Sequence, residues 1–129
     1  MRSIIGVFMA LMCAKAFAAP KESPELEAKG KAVYASTCAL CHGEAGDLEK
    51  SPTGKAMNAR NLTKDPFKAG DTAEKIFETV SKGLAGTAMA AFGHLPEDDR
   101  WAVSYYVKSL RAAGSAKAAA PVPADASKK

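Results

Sequence analysis

The chain has 129 residues, a formal net charge of +4 and 47% hydrophobic residues, enough for one small domain and no room for a second. Alanine supplies 27 of the residues, so large apolar side chains are scarce and something else is needed to fill a core. Lysines alternate with acids instead of gathering into a basic run, which excludes the electrostatic footprint of a nucleic-acid binder.

The first segment reads as an export signal. Met1 and Arg2 make a positive start, Ile4 to Cys13 is an apolar run, and Ala16-Phe17-Ala18 has the small-x-small pattern of a signal-peptidase site. Cleavage is expected near Ala18, giving a signal peptide over residues 1–18 and a mature chain that starts at Ala19 in the periplasm or another exported compartment. A retained span is not expected: about ten apolar residues at ~1.5 Å each cover roughly half of a ~30 Å hydrocarbon layer. A lipid anchor on Cys13 is disfavoured, because Met12 stands where such a signal needs a small residue. Without Arg2 and Lys15, Lys+Arg falls from 18 to 16 against 14 acids, so the mature polypeptide is near +2. Only Cys38 and Cys41 then remain, too close together to staple a fold and better suited as ligands or attachment points.

Helix one is predicted from Ser23, a cap with Pro24 at the first position and Glu25 and Glu27 in the first turn, to about Thr37. Leu26, Gly30, Val33, Tyr34 and Thr37 form one stripe along it. From Gly43 to Gly70 the period is broken repeatedly, by Gly46, Pro52, Gly54 and Asp65-Pro66. So long a loop in so small a domain is expected to wrap around something bound. Helix two starts at Asp71, Thr72 and Glu74, carries Ile76, Phe77 and Val80 on one face, and ends at Gly83-Leu84. A second irregular stretch, Ala85 to Leu95, leads to Pro96. Helix three follows, with Glu97, Asp98 and Asp99 in its first turn, Lys108 and Arg111 in its last, and an end near Gly114. Trp101, Ala102, Tyr105, Tyr106 and Leu110 lie together on it, flanked by Val103 and Val107. No stretch alternates with period two, so the fold class is all-α. Residues 114–129 contain Val122 as their one large apolar residue and are expected to form a flexible Ala/Pro/Lys tail.

Cys38-Ala39-Leu40-Cys41-His42 is a C-x-x-C-H run, the pattern of c-type haem attachment. Two cysteines three apart can each reach one vinyl group on the same porphyrin edge, and the next residue's imidazole then meets the iron. Zinc would need further ligands, and only His94 remains, alone and far along the chain. A thioredoxin-like pair belongs beside a βα unit, and no strand precedes Cys38. With His42 on one side of the iron, the candidates for the opposite axial position are Met57, Met89 and His94.

Together with Asn61-Leu62-Thr63, the run Gly86-Thr87-Ala88-Met89-Ala90-Ala91-Phe92 and the segment Trp101 to Leu110, this motif resembles class I monohaem cytochrome c over roughly Leu26 to Leu110. The resemblance implies that residues 19–113 are a cytochrome c domain of about three main helices, with long loops wrapped around one covalent haem c. It implies Cys38 and Cys41 as thioether positions and His42 and Met89 as axial iron ligands. It also implies that Gly30 and Tyr34 meet Tyr106 at a helix crossing, and that Trp101 packs near a propionate. The ligand histidine's second ring nitrogen needs a backbone carbonyl, for which Pro52 is the candidate. Two positions depart from the family: Ser51-Pro52 replaces a usual Gly-Pro, and Ala90 a common proline after the ligand methionine.

With both axial positions filled, the expected function is single-electron transfer between redox partner proteins, not enzymatic catalysis. Docking is expected through Ala39, Leu40 and the Ala85 to Ala91 loop, with Lys55 and Lys82 nearby. The alternatives are a fixed haem subunit of an oxidase, reductase or dehydrogenase complex, and a gas sensor or peroxidase in which Met89 is displaced.

Overall fold

A computed structural model describes residues 18–119, which form five helices and no strand. Residues 1–17 of the expected signal peptide and the last ten residues of the expected tail lie outside the described residues. Helix α1 (Pro24–Thr37) starts as its sequence dictates: Ser23 is extended, its Oγ accepts from Leu26 N–H at 3.2 Å, and Pro24 occupies the first turn. Cys38 closes α1 and opens α2 (Ala39–His42). Helix α3 (Pro52–Ala56) interrupts the stretch expected to be irregular throughout, because Ser51 caps it and Pro52 is pre-set for its first turn. Helix α4 (Ala73–Lys82) is capped by Thr72 and ends on Gly83, and α5 spans Glu97–Ala119.

Helix α5 does not end at Gly114 but runs five residues further. A Cβ on Gly114 would run into Thr63 O, so this glycine serves close approach to a loop and does not terminate the helix. The alanine-rich residues beyond it continue the helix readily.

Two contacts organise the fold, α1 crossing α5 and α4 lying along α5. At the crossing Gly30 faces Ala102 O where a Cβ would stand, and Tyr34 meets Tyr106 edge-on with ring centroids 5.3 Å apart. Ile76 and Val80 of α4 join Val103 and Val107 of α5, with Tyr34 and Leu62, in the larger core cluster. A second cluster holds Ala73, Trp101 and Tyr105, with Phe77, Leu26 and Ala19 against it. The N-terminal segment is tied across α5, since Tyr105 OH donates to Pro20 O at 2.6 Å. Among the described residues no helix is long and apolar enough to cross a membrane.

Candidate functional site

Helices α2 and α4 each pack on other parts of the fold but do not touch one another. Between them and their following loops lies a cleft of about 230 Å³. Cys38, Cys41 and His42 line it from the α2 side, and Ile76, Val80, Leu84 and Met89 from α4 and the loop after it.

Helix α2 is too short to hold itself, having one turn and no side-chain cap. It is fixed by neighbours instead. Tyr34 OH donates to Gly43 O at 2.7 Å, and Ser51 Oγ donates to Leu40 O at 2.6 Å while accepting from Gly54 N–H at 2.9 Å. Gly54 lies directly beneath, where a Cβ would collide with Cys41 O. Neither Ser51 nor Gly54 stood out as a site residue in the sequence, although Ser51-Pro52 is itself a helix-start signature. Ser51 is 2% exposed. Changing it to alanine should cost about 1–3 kcal/mol by stranding buried polar groups, measured by denaturant unfolding. Threonine at the same position should recover most of the loss.

His42 Nδ1 lies 2.9 Å from Arg60 O. A carbonyl can only accept, so Nδ1 carries the proton and Nε2 keeps its lone pair for a metal. Burial lowers the proton affinity of His42 and so favours the neutral ring, while the bond to Arg60 O partly opposes this shift. The expected partner, Pro52, is therefore replaced by Arg60. Pro52 opens α3, where its carbonyl belongs to the helical ladder, and the carbonyl that meets the His42 ring comes from residue 60, beyond that helix. Half-buried in the same wall, the Cys38 thiol is pushed up to about 11, mainly by desolvation, and neither Cys38 nor Cys41 is in a disulfide.

Asn61 knits the return loop. Its Nδ2 donates to Asp47 O at 2.9 Å, and its Oδ1 accepts from Thr63 N–H at 2.9 Å and from the Thr63 hydroxyl at 2.7 Å. Leu62 N–H closes on Gly46 O at 2.7 Å. Arg60 Nη1 donates to Pro66 O at 2.7 Å; among the described residues Arg60 and Lys68 are the charged ones that line the cleft, and no carboxylate does.

The three axial candidates separate. Met89 lines the cleft from the α4 side. Met57 also reaches the cleft but is 52% exposed, and it lies three residues before Arg60, in the segment that carries His42's partner. His94, which a zinc site would also need, is exposed and outside the cleft. Trp101, expected near a propionate, does not line the cleft; it stacks on Phe77 with ring centroids 4.1 Å apart. Ala73 and Phe77 of α4 hold it in the second core cluster.

Two thiols and an oriented neutral imidazole on one apolar wall, a thioether on the other, and two cations without a carboxylate fit a flat apolar macrocycle that bears acidic substituents. Fold and cleft define a c-type cytochrome, a domain that carries covalently bound haem c and its iron. Residues 25–107 match the family described as Cytochrome C oxidase, cbb3-type, subunit III, and the chain belongs to that family. It is 36% identical over 112 residues to the cbb3-type cytochrome c oxidase subunit CcoP of Rubrivivax gelatinosus, covering 81% of this chain and 34% of that protein. With subunit FixP of Bradyrhizobium diazoefficiens the identity is 34% over 83 residues, 64% of this chain and 27% of that one. The chain thus spans about a third or less of the length of these relatives. Among solved structures, a Kuenenia stuttgartiensis reducing HAO-like protein complex contains a chain similar at a TM-score of 0.57 and 32% identity, covering 72% of this chain and 44% of that one.

Proposed function

We propose that the chain is an exported electron-transfer cytochrome whose haem is bonded through Cys38 and Cys41 and ligated by His42 and Met89. The observation that carries this reading is the lining of the cleft from both sides, by an oriented His42 on one wall and Met89 on the other. Bound haem supplies a one-electron iron couple. The chain's residues do the rest. Cys38 and Cys41 would hold the group, each by adding its S–H across a vinyl double bond, sulfur to one carbon and hydrogen to the other, with no by-product. His42 offers Nε2 while Arg60 O holds its Nδ1–H. The thioether of Met89 and the apolar walls at Ile76, Val80 and Val107 favour the reduced iron. Arg60 and Lys68, the charged residues that line the cleft, would offer positive charge to the carboxylates of the group.

With no coordination position left open, the domain exchanges electrons with redox partner proteins and carries no catalysis of its own. Leu40, 72% exposed beside Cys41, supplies an apolar contact at the edge where the haem is attached. The names of the relatives favour one version of this role, a haem subunit within an oxidase or similar complex, which co-purification with a large partner would reveal.

The decisive experiment is performed on purified holoprotein. One covalent haem by mass, a low-spin ferric spectrum with the near-red band of iron–thioether ligation, and a one-electron redox titration are expected. Immediate binding of carbon monoxide by the ferrous protein would overturn the reading in favour of a sensor or peroxidase.

A further inference from the structure

The loop that carries Met89 is seated on the end of α4. Gly83 lies at φ 70°, ψ −171°, a conformation that residues with side chains avoid. A Cβ there would stand 2.7 Å from Met89 O and 2.9 Å from both Ala90 C and Ala91 N, so the backbone of residues 89–91 occupies the space a side chain would take. Both backbone polar groups of Met89 are tied down next to it. Leu84 N–H donates to Met89 O at 3.1 Å, and Met89 N–H donates to Thr87 Oγ1 at 3.2 Å. The Thr87 hydroxyl in turn donates to Leu84 O at 2.8 Å, and Phe92 N–H closes the loop on Val80 O at 2.8 Å. Gly86, in the middle of the same loop, also has a positive φ, 74°, but nothing lies within 4 Å of a Cβ built on it.

We propose that Gly83 is a positioning residue for the axial ligand: its missing side chain lets the Met89 backbone seat against the end of α4, and this seat sets how firmly the Met89 sulfur holds the iron. The proposal rests on Met89 being the ligand. Gly83 itself does not line the cleft. A side chain at 83 pushes the Met89 carbonyl off Leu84 N–H and carries the sulfur with it, whereas one at 86 strains its own φ and displaces nothing.

Imidazole titration of the ferric holoprotein separates these effects, since a weakened Met89 bond leaves more iron open and tightens imidazole binding by the same factor. Gly83→Ala should bind imidazole about tenfold more tightly at unchanged haem content, and Thr87→Val, at an exposed position, a few-fold more tightly. Gly86→Ala should match the wild type within about twofold. If Gly83→Ala and Thr87→Val titrate like the wild type while Met89→Ala binds far more tightly, Gly83 is not a positioning residue and the ligand assignment stands. If Met89→Ala itself titrates like the wild type, the ligand assignment fails and takes the proposal with it. Should Gly83→Ala yield no holoprotein, Thr87→Val decides alone: wild-type imidazole affinity there overturns the proposal.

Discussion

Met89→Ala should leave a covalently attached haem whose reduction potential has fallen by on the order of 0.1–0.3 V, part of the roughly 0.8 V that axial ligands span. A thioether stabilises the reduced iron, and the water or hydroxide that would replace it does so less. Attachment should survive, because Cys38, Cys41 and His42 line the other wall and are held by Tyr34, Ser51 and Arg60. Met57→Ala should leave the potential nearly unchanged, since this side chain is half exposed and shares a segment with the carbonyl behind His42. Redox titration of the two variants, with the near-red ferric band recorded for each, checks the pair. The assignment is reversed if Met57→Ala loses the band and Met89→Ala keeps it.

Gly30→Ala should lower the thermal midpoint of the holoprotein by about 10 °C or more. Two effects oppose one another at this position. Alanine is the better helix former by about 1 kcal/mol. Against that, the added methyl meets Ala102 O and stands 2.9 Å from Tyr106 Cβ, in the tightest part of the α1–α5 crossing. Overpacking typically costs about 1–3 kcal/mol, and the upper end or beyond applies where the obstacle is backbone that no rotamer change can move. A net loss of about 2 kcal/mol at ~4–8 °C per kcal/mol for a domain of this size gives the stated shift. Lys31→Ala, on the exposed face of the same helix, is the control and should change little. A melting curve for Gly30→Ala that overlies the wild type would mean the crossing is looser than its geometry indicates.

Much of the frame was legible in the order of residues because its causes are local. Ser23-Pro24 and Thr72 start helices by bonds that span three residues, and these elements begin where the caps place them. The stripe of Gly30 and Tyr34 faces Tyr106 as expected, since helical periodicity fixes which residues share a side. The C-x-x-C-H run likewise encodes its chemistry in contiguous positions, and membership of a haem-carrying family agrees with it.

Other assignments depended on where remote backbone comes to rest. Pro52 was the nearby candidate for the carbonyl behind His42, yet the bond goes to Arg60, 18 residues along the chain, because α3 intervenes. Gly114 looked like a helix end and is a point of approach to Thr63. Trp101 turned to Phe77 and away from the cleft. By itself the sequence determined that this is an all-α domain and that two thiols and an imidazole stand within five residues, because spacing along the chain is enough for that. Only the tertiary structure decided what holds α2, which carbonyl orients His42, and why Gly83 must lack a side chain for Met89 to sit where it does. Those depend on contacts between backbone segments that no local pattern brings together.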